Sequence, residues 1–176
     1  SLRSVNITGG EPFLRQDLAE VVEAVRAACP RADVVISTNG LLTERIVDVM
    51  RRLARGRRPA GVAVSVDGIG EMHDEIRGVP EAFVRVQATL RRLAESGVGG
   101  VRLAFTATPR NIGHFGRVYD LSRQLGVEFT CALAQASENY FQVTDVGPPI
   151  SREAVVFEMA PVVRAELAGW SPKRWA

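Results

Sequence analysis

Two glycines and a carboxylate, Gly9-Gly10-Glu11, stand where a short apolar strand ends and an amphipathic helix begins. Because glycine lacks a Cβ, the backbone of this turn can pass very close to a ligand. The carboxylate of Glu11 could accept a ligand ammonium at the same place. Pro12 ends the strand and favours entry into the following helix. This turn therefore predicts a binding site for a small molecule that carries an amino group.

Polar residues also follow the next predicted strands. They are Ser37, Thr38 and Asn39 after the second strand, Ser65 and Asp67 after the third, and Thr106, Thr108, Arg110 and Asn111 after the fourth. Any α/β protein carries some polar residues there, because loops need caps and turns. Taken singly, Asn39-Gly40 and Asp67-Gly68 are typical of plain turns. The ordered set is more informative than any one member.

The spacing of apolar residues predicts alternating strands and helices. The predicted strands cover residues 4–8, 34–36, 62–66, 101–107 and 127–133, with amphipathic helices between them, two of which end at Gly97 and Gly126. Continuously apolar strands separated by helices predict a parallel sheet covered on both faces. Right-handed crossovers bring the carboxyl ends of all strands to one rim, where ligands bind in α/β folds. The pattern alone leaves open a barrel or a doubly wound sheet.

Beyond residue 133 the pattern weakens. Gly147-Pro148-Pro149 predicts a loop, Ser151 is a candidate N-cap for a last helix, and Pro161 is expected to kink or split that helix. We therefore divide the chain into a core of alternating strands and helices, residues 1–133, and a C-terminal loop, helix and tail, residues 134–176.

The composition excludes several classes of protein. The 176 residues are 46% hydrophobic and 24% charged, as in a globular domain, and the net charge of +2 argues against a nucleic-acid partner. No apolar run approaches the length of a membrane span. The two cysteines, Cys29 and Cys131, lie too far apart for a disulfide framework and favour a reducing, cytoplasmic location. Cys131 is expected to be a small core residue of the last strand.

Four segments, in this order, resemble the radical SAM (S-adenosylmethionine) superfamily. They are GGEP at 9–12, STNG at 37–40, SVDG at 65–68 and HDEIRG at 73–78. The resemblance covers roughly residues 2–133 and is closest to the branch of peptide-modifying and sulfatase-maturing enzymes. It implies an α/β fold, a partial, TIM-like (β/α)6 barrel, in which the present strands match the second to the sixth and the first βα unit is missing.

The resemblance also implies a set of SAM-binding residues. They are Gly9, Gly10, Glu11, Thr38, Asn39, Ser65, Asp67, Arg77 and Leu133. The glycine turn and Glu11 would bind the SAM amino group, through backbone carbonyls and the carboxylate. Ser65 and Arg77 would hold the SAM carboxylate, since the planar fork of arginine matches a carboxylate. The alternative for Arg77 is a salt bridge to Asp74 or Glu75.

The remaining implied roles are less specific. Thr38 and Asn39 would line the floor of the cavity, and Leu133 would pack near the adenine. The two histidines of the chain do not make a metal site, because two ligands do not close one. His73 is expected to support the loop before Arg77, and His114 to be a surface or capping residue.

The sequence departs from the family at the iron–sulfur cluster. The family holds a 4Fe-4S cluster with three cysteines in a C-x3-C-x2-C loop, and SAM caps its fourth iron. This sequence has no such loop, so no catalytic residue and no metal ligand are assigned in it. We expect that the first strand, the cluster loop and the first helix belong to a longer protein. A natural relative without a cluster is the alternative.

The resemblance implies an enzyme, an oxidoreductase that cleaves SAM reductively to start radical chemistry. Its substrate is unidentified and could be a peptide. Segment 135–141 could contribute to binding that substrate. A reductant protein would supply the cluster with electrons. Residues 1–176 are expected to be inactive alone. One alternative is a non-catalytic (β/α) module for a small molecule or nucleotide, for which Gly68-Ile69-Gly70 is a weak phosphate-loop signal. A metal-dependent aldolase-like barrel would need clustered histidines and carboxylates, which the strand ends lack.

A missing first strand also predicts an exposed sheet edge. Residues 4–8 would be unpaired on one side, and unpaired edges invite another chain. We therefore expect self-association through this edge, or its coverage by the C-terminal segment.

Overall fold

The structure, a computed structural model, describes residues 2–55, 58–134 and 150–168 of the chain. Segment 135–141 and the loop predicted at Gly147-Pro148-Pro149 lie outside the described residues, and the division into two parts at residue 133 stays a prediction. Among the helices described, none combines the length and the apolar character needed to cross a membrane.

Five parallel strands form one sheet whose spatial order is the order of the sequence. The strands are β1 (Ser4–Ile7), β2 (Asp33–Thr38), β3 (Gly61–Ser65), β4 (Val101–Ala107) and β5 (Glu128–Leu133). A doubly wound sheet reverses its strand order at a switch point, and this sheet does not. It curls instead into a half-barrel, which confirms the predicted α/β fold.

Helices connect the strands. They are α1 (Leu18–Ala28), α2 (Thr43–Ala54), α3 (Glu71–Arg77), α4 (Ala82–Glu95), α5 (Phe115–Leu125) and α6 (Arg152–Ala168), with 3-10 turns at Pro12–Leu14 and Ile112–His114. The short α3 lies where the sequence predicted only a loop, because seven residues are too few to display a helical period. Gly97 and Gly126 follow the ends of α4 and α5 with positive φ, as predicted.

One face of the sheet is buried and the other is not. Along β4, Leu103 and Phe105 are buried, whereas Arg102 and Ala104, the residues before each of them, are half-buried. Burial alternates in the same way along β2 and β3. The expectation of a sheet covered on both faces is therefore wrong for the described residues. Successive right-handed crossovers between sequential strands put all the connecting helices on one side, which leaves the other side concave.

The outer strand β5 corrects the prediction for Cys131, which is exposed instead of lying in the core. Among the described strands β5 pairs with β4 alone, and most of its residues are exposed. Its contact with the core is made by Phe129, whose ring meets Phe115 edge-on with a centroid separation of 5.4 Å.

β1 is the other outer strand, as predicted, and it pairs only with β2 among the strands described. The Asp33 amide donates to the carbonyl of Arg3 at 2.9 Å, and in this parallel register the amides of Val5 and Ile7 point toward β2. The amide of Asn6 therefore faces the free edge, because successive amides of a strand point in opposite directions.

The C-terminal helix α6 packs against α5 and the turn before it, at the side of the sheet away from β1. Ser151 caps α6 as predicted, since its Oγ accepts from the Ala154 amide at 3.1 Å. The helix continues through Pro161, so the expected split does not occur.

Candidate functional site

The turn after β1 is open toward the strand carboxyl ends. Gly9 has a φ of +151°, which side chains other than glycine rarely adopt, and Gly9 and Gly10 are both exposed. A Cβ built at either glycine would have no heavy atom within 4 Å. The turn therefore leaves space for a ligand against its backbone.

Glu11 joins this turn to the end of β2. Its Oε1 accepts from the hydroxyl of Thr38 at 2.8 Å, and its Oε2 accepts from the Asn39 amide at 2.7 Å. Oε1 also accepts from the Phe13 amide at 3.2 Å, which caps the 3-10 turn. A carboxylate has about four lone-pair positions. Glu11 thus holds two loops together and retains room for roughly one more donor.

Thr38 and Asn39 have structural partners. Thr38 is 3% exposed, and its Oγ1 also accepts from the Gly40 amide at 3.1 Å. The Oδ1 of Asn39 accepts from the Leu41 amide at 3.0 Å, which shapes the loop before α2. Thr38 therefore orients the Glu11 carboxylate from the helix-covered side of the sheet, and contact of either residue with SAM stays a prediction.

An ion pair joins Asp67, after β3, to Arg77, at the end of α3. Arg77 Nη2 lies 2.6 Å from Asp67 Oδ2, and the Asp67 side chain is 8% exposed. The expected alternative, a salt bridge from Arg77 to Asp74 or Glu75, is wrong. Asp74 instead accepts from the amide of Phe83 at 2.7 Å, ahead of α4.

The guanidinium of Arg77 is only partly used. Its Nη2 lies beside Asp67, whereas Nε is buried without a hydrogen-bond partner among the described residues. The Arg77 side chain as a whole is 29% exposed. It lines a cavity of about 280 Å³, together with Asp67, Ile76, Thr106, Thr108 and Asn111. The end of the guanidinium away from Asp67 can therefore serve a ligand anion.

Three side chains hold the backbone that carries Asp67. His73 Nδ1 accepts from the Asp67 amide at 3.0 Å, so His73 supports the loop before Arg77, as predicted. His114 Nδ1 accepts from the Ile69 amide at 3.1 Å, a role that the sequence did not predict. Asn111 Nδ2 donates to the Asp67 carbonyl at 3.0 Å. The strand-end position of Asn111 was visible in the sequence, but its partners were not.

Both histidines must be neutral at Nδ1 to accept these bonds. Burial, with a smaller contribution from Arg77, lowers the pKa of His73, while Asp67 and Asp74 oppose the shift. Burial likewise lowers the pKa of His114, with Arg117 acting in the same direction and Glu158 against it. The local environment thus favours the form that the hydrogen bonds require.

The other two residues of the predicted set also lie at strand ends. Ser65 ends β3 opposite Ala104 and is half-buried. Leu133 ends β5 opposite Ala107 and is 50% exposed. The predicted residues therefore come from the carboxyl ends of β1, β2, β3 and β5 and from α3, and their contact with SAM stays a prediction.

The family model of the Radical SAM superfamily matches residues 1–121, and the chain belongs to that superfamily. Radical SAM proteins use SAM and a 4Fe-4S cluster.

Three similar proteins are a cyclase and two synthases. The chain is 30% identical over 128 residues to a probable GTP 3',8-cyclase of Metallosphaera sedula, covering 72% of this chain and 38% of the relative. It is 35% identical over 127 residues to the Fe-coproporphyrin III synthase of Methanosarcina barkeri, covering 70% and 30%. An AdoMet-dependent heme synthase of the same organism is 34% identical over 122 residues, covering 68% and 33%. The chain thus spans about a third of these relatives, and the peptide-modifying branch is not confirmed.

A solved structure, histidine-tagged anSMEcpe with bound AdoMet, has the same fold. Its TM-score is 0.66 at 14% identity, and the match covers 94% of this chain and 47% of that chain. At this identity the likeness concerns the fold alone.

The described residues fit SAM but not the cluster. The open glycine turn, the remaining acceptor position of Glu11 and the partly used guanidinium of Arg77 suit a ligand with one ammonium and one carboxylate. Cys29 lies just before β2, at the end of the sheet opposite the site, and Cys131 is exposed on β5. In the part of the chain that the structure describes, no group of three metal-ligating side chains is found.

Proposed function

We propose that these residues form the SAM-binding part of a radical SAM enzyme, a cytoplasmic oxidoreductase whose substrate is not identified. Bound SAM supplies a sulfonium whose reductive cleavage starts radical chemistry in this family. The relatives and the solved structure are longer than this chain, so the remaining parts of the reaction, including the cluster and a reductant protein, are assigned to the full-length protein. The present residues alone are inactive in this proposal.

The observation that carries the proposal is the presence of two oppositely charged side chains, Glu11 and Arg77, at the same rim of the sheet. Glu11, at the end of β1, offers a carboxylate for an ammonium, and Arg77, near the end of β3, offers a guanidinium for a carboxylate. Asp67 and Arg77 are both largely shielded from water, which strengthens interactions between charges. A free amino-acid group, such as that of SAM, carries both complementary charges.

Each residue then has a defined task. Glu11 binds the SAM ammonium while its other contacts keep the turn and β2 in place. Arg77 and Ser65 bind the SAM carboxylate, and Leu133 packs against the adenine. The concave side of the sheet is where a substrate can reach SAM. A peptide substrate belongs to the proposal only through the sequence resemblance to the peptide-modifying branch.

Calorimetric titration of SAM into the full-length, cluster-loaded protein tests these assignments. Charge-assisted hydrogen bonds contribute about 1.5–3 kcal/mol, so Glu11→Ala and Arg77→Ala should each weaken SAM binding by roughly 10- to 100-fold. Ser65→Ala removes a neutral hydroxyl and should weaken binding less. Arg77→Lys keeps the charge without the planar fork and should give an intermediate loss.

Arg123→Ala is the matched control, because Arg123 is an exposed arginine on α5, close to Glu166 of α6. It should leave SAM affinity unchanged. Unchanged affinity in both Glu11→Ala and Arg77→Ala would contradict the residue assignment. A wild-type protein that binds no SAM would contradict the function itself.

A further inference from the structure

Asn111 is wholly buried and uses every hydrogen-bonding position of its side-chain amide. Nδ2 donates to the carbonyls of Asp67 at 3.0 Å and Thr106 at 2.9 Å. Oδ1 accepts from the amide of Thr108 at 2.6 Å and from its hydroxyl at 2.9 Å. Two donors and two acceptors are all that an asparagine offers. The side chain therefore joins the loop after β3 to the loop after β4.

The segment that Asn111 holds, between β3 and α3, contains two glycines. Asp67 is followed by Gly68 and, two residues later, by Gly70, whose φ is +63°. Glycine has a large conformational freedom, so the position of this loop depends on the contacts that hold it. His114, from the start of α5, supplies a second contact through the amide of Ile69. Side chains from after β4 thus hold the loop after β3.

What this loop positions is the Asp67 carboxylate. Asp67 Oδ2 forms the ion pair with Arg77 Nη2, and Nε of Arg77 has no hydrogen-bond partner among the described residues. The orientation of the guanidinium in the cavity therefore depends on the position of the Asp67 carboxylate. A chain of contacts runs from Asn111 and His114 through the loop and Asp67 to Arg77.

We propose that Asn111 and His114 are positioning residues that orient Arg77, by way of Asp67, toward the carboxylate of a bound amino-acid ligand. The proposal rests on the proposed function, because it takes Arg77 as the group that binds the SAM carboxylate. In this arrangement Asn111 has no hydrogen-bonding position left for the ligand, and His114 is not among the residues that line the cavity. Their loss should therefore weaken recognition of the carboxylate and leave the rest of the ligand's contacts intact.

The experiment compares SAM with decarboxylated SAM, which keeps the adenosyl group, the sulfonium and the amine but lacks the carboxylate. The affinity of each ligand is measured by calorimetry on the full-length, cluster-loaded protein. The wild type should bind SAM more tightly than the decarboxylated ligand. Asn111→Ala should reduce this preference at least about fivefold, while the affinity for decarboxylated SAM stays within about twofold of the wild type.

A second variant and a control distinguish a specific loss of carboxylate recognition from general misfolding. His114→Ala removes a half-buried acceptor and should reduce the preference in the same direction as Asn111→Ala. Ser122→Ala removes a buried hydroxyl that donates to the Tyr119 carbonyl at 2.6 Å, away from the loop, and should change neither affinity.

The outcomes separate this inference from the proposed function. If Asn111→Ala and His114→Ala weaken both ligands equally, or leave the preference unchanged, the positioning role is overturned while the SAM site stands. If the wild type binds SAM but does not prefer it over the decarboxylated ligand, both the positioning role and the assignment of Arg77 are overturned. If the wild type binds neither ligand, the proposed function is overturned as well.

Discussion

At the scale of single residues, His73 shows how a buried side chain supports the site without touching a ligand. It is wholly buried, packs near Phe83, and accepts from the Asp67 amide through Nδ1. A protonated imidazole has no acceptor, so protonation would break this bond and place a charge beside Arg77. Because burial lowers its pKa, His73 binds a proton less readily in the folded protein than in the unfolded chain.

Stability should therefore fall on acidification. The contribution of His73 is present in full above its ordinary pKa of 6.5, because both folded and unfolded forms are then neutral. As the pH falls toward the lower folded-state pKa, His73 is protonated in the unfolded chain before it is protonated in the folded protein. The contribution of His73 to the free energy of unfolding is therefore lost over this range of pH. Urea denaturation between about pH 8 and about pH 5 measures the loss.

His73→Asn is the matched variant for this prediction. Asparagine places an acceptor oxygen where Nδ1 stands and does not titrate. The variant should show a flatter dependence of stability on pH than the wild type, although His114, whose pKa is lowered too, still titrates. An identical pH dependence in His73→Asn and in the wild type would contradict the role assigned to His73.

At the scale of elements, the outer strand β1 is the shortest strand of the described sheet. It is four residues long, and its pairing partner among the described strands is β2. Its unpaired edge presents the amide of Asn6. Since α6 packs at α5, the described part of the C-terminal segment does not provide the expected cover. A second copy of the chain is the occupant that we propose for this edge.

The 176-residue chain should therefore associate through β1, and amide exchange can detect it. Asn6 should exchange more slowly as the protein concentration rises, because a second strand would accept from its amide. The amide of Ile7 points toward β2 and is an internal control that should not depend on concentration. A monomer at all concentrations, with rapid exchange at Asn6, would contradict the prediction.

A proline substitution tests the same edge. Asn6→Pro removes an outward amide and should prevent association without breaking the pairing of β1 with β2. Asn6→Ala is the control, because it removes the side-chain contact in which Ser37 Oγ donates to Asn6 Oδ1 at 2.9 Å but keeps the amide.

At the scale of the whole molecule, the number and positions of the cysteines determine whether the chain can bind a 4Fe-4S cluster. A 4Fe-4S cluster in this family needs three thiolates in one loop, and the chain has two cysteines that lie on different elements. Anaerobic reconstitution of the 176-residue chain should therefore give no stoichiometric cluster. A longer chain with the three-cysteine loop, treated in parallel, is the positive control. Iron and sulfide at about four each per chain would contradict the prediction.

The local sequence was sufficient for most elements of the fold. β4 has the predicted bounds, and α4 and α5 end before glycines as expected, because apolar periodicity and glycine act over a few residues. The residue types at the strand ends also predicted the candidate site, since parallel strands joined by right-handed crossovers bring their carboxyl ends to one rim. The order of motifs along the chain then indicated the family.

Only the tertiary structure shows the order of the strands and the contacts between residues at different strand ends. The choice of a half-barrel over a doubly wound sheet follows from the order in which strands pair, and the apolar pattern of a strand does not encode its neighbour. The alternative to ligand binding by Arg77 was a salt bridge within α3, and the structure shows an ion pair with Asp67 in its place. Asn111, which follows α4 in the chain, donates back to the Asp67 carbonyl. These contacts depend on which buried polar groups meet after the chain has packed. The periodicity of the sequence predicts single elements and does not predict which distant residues contact each other.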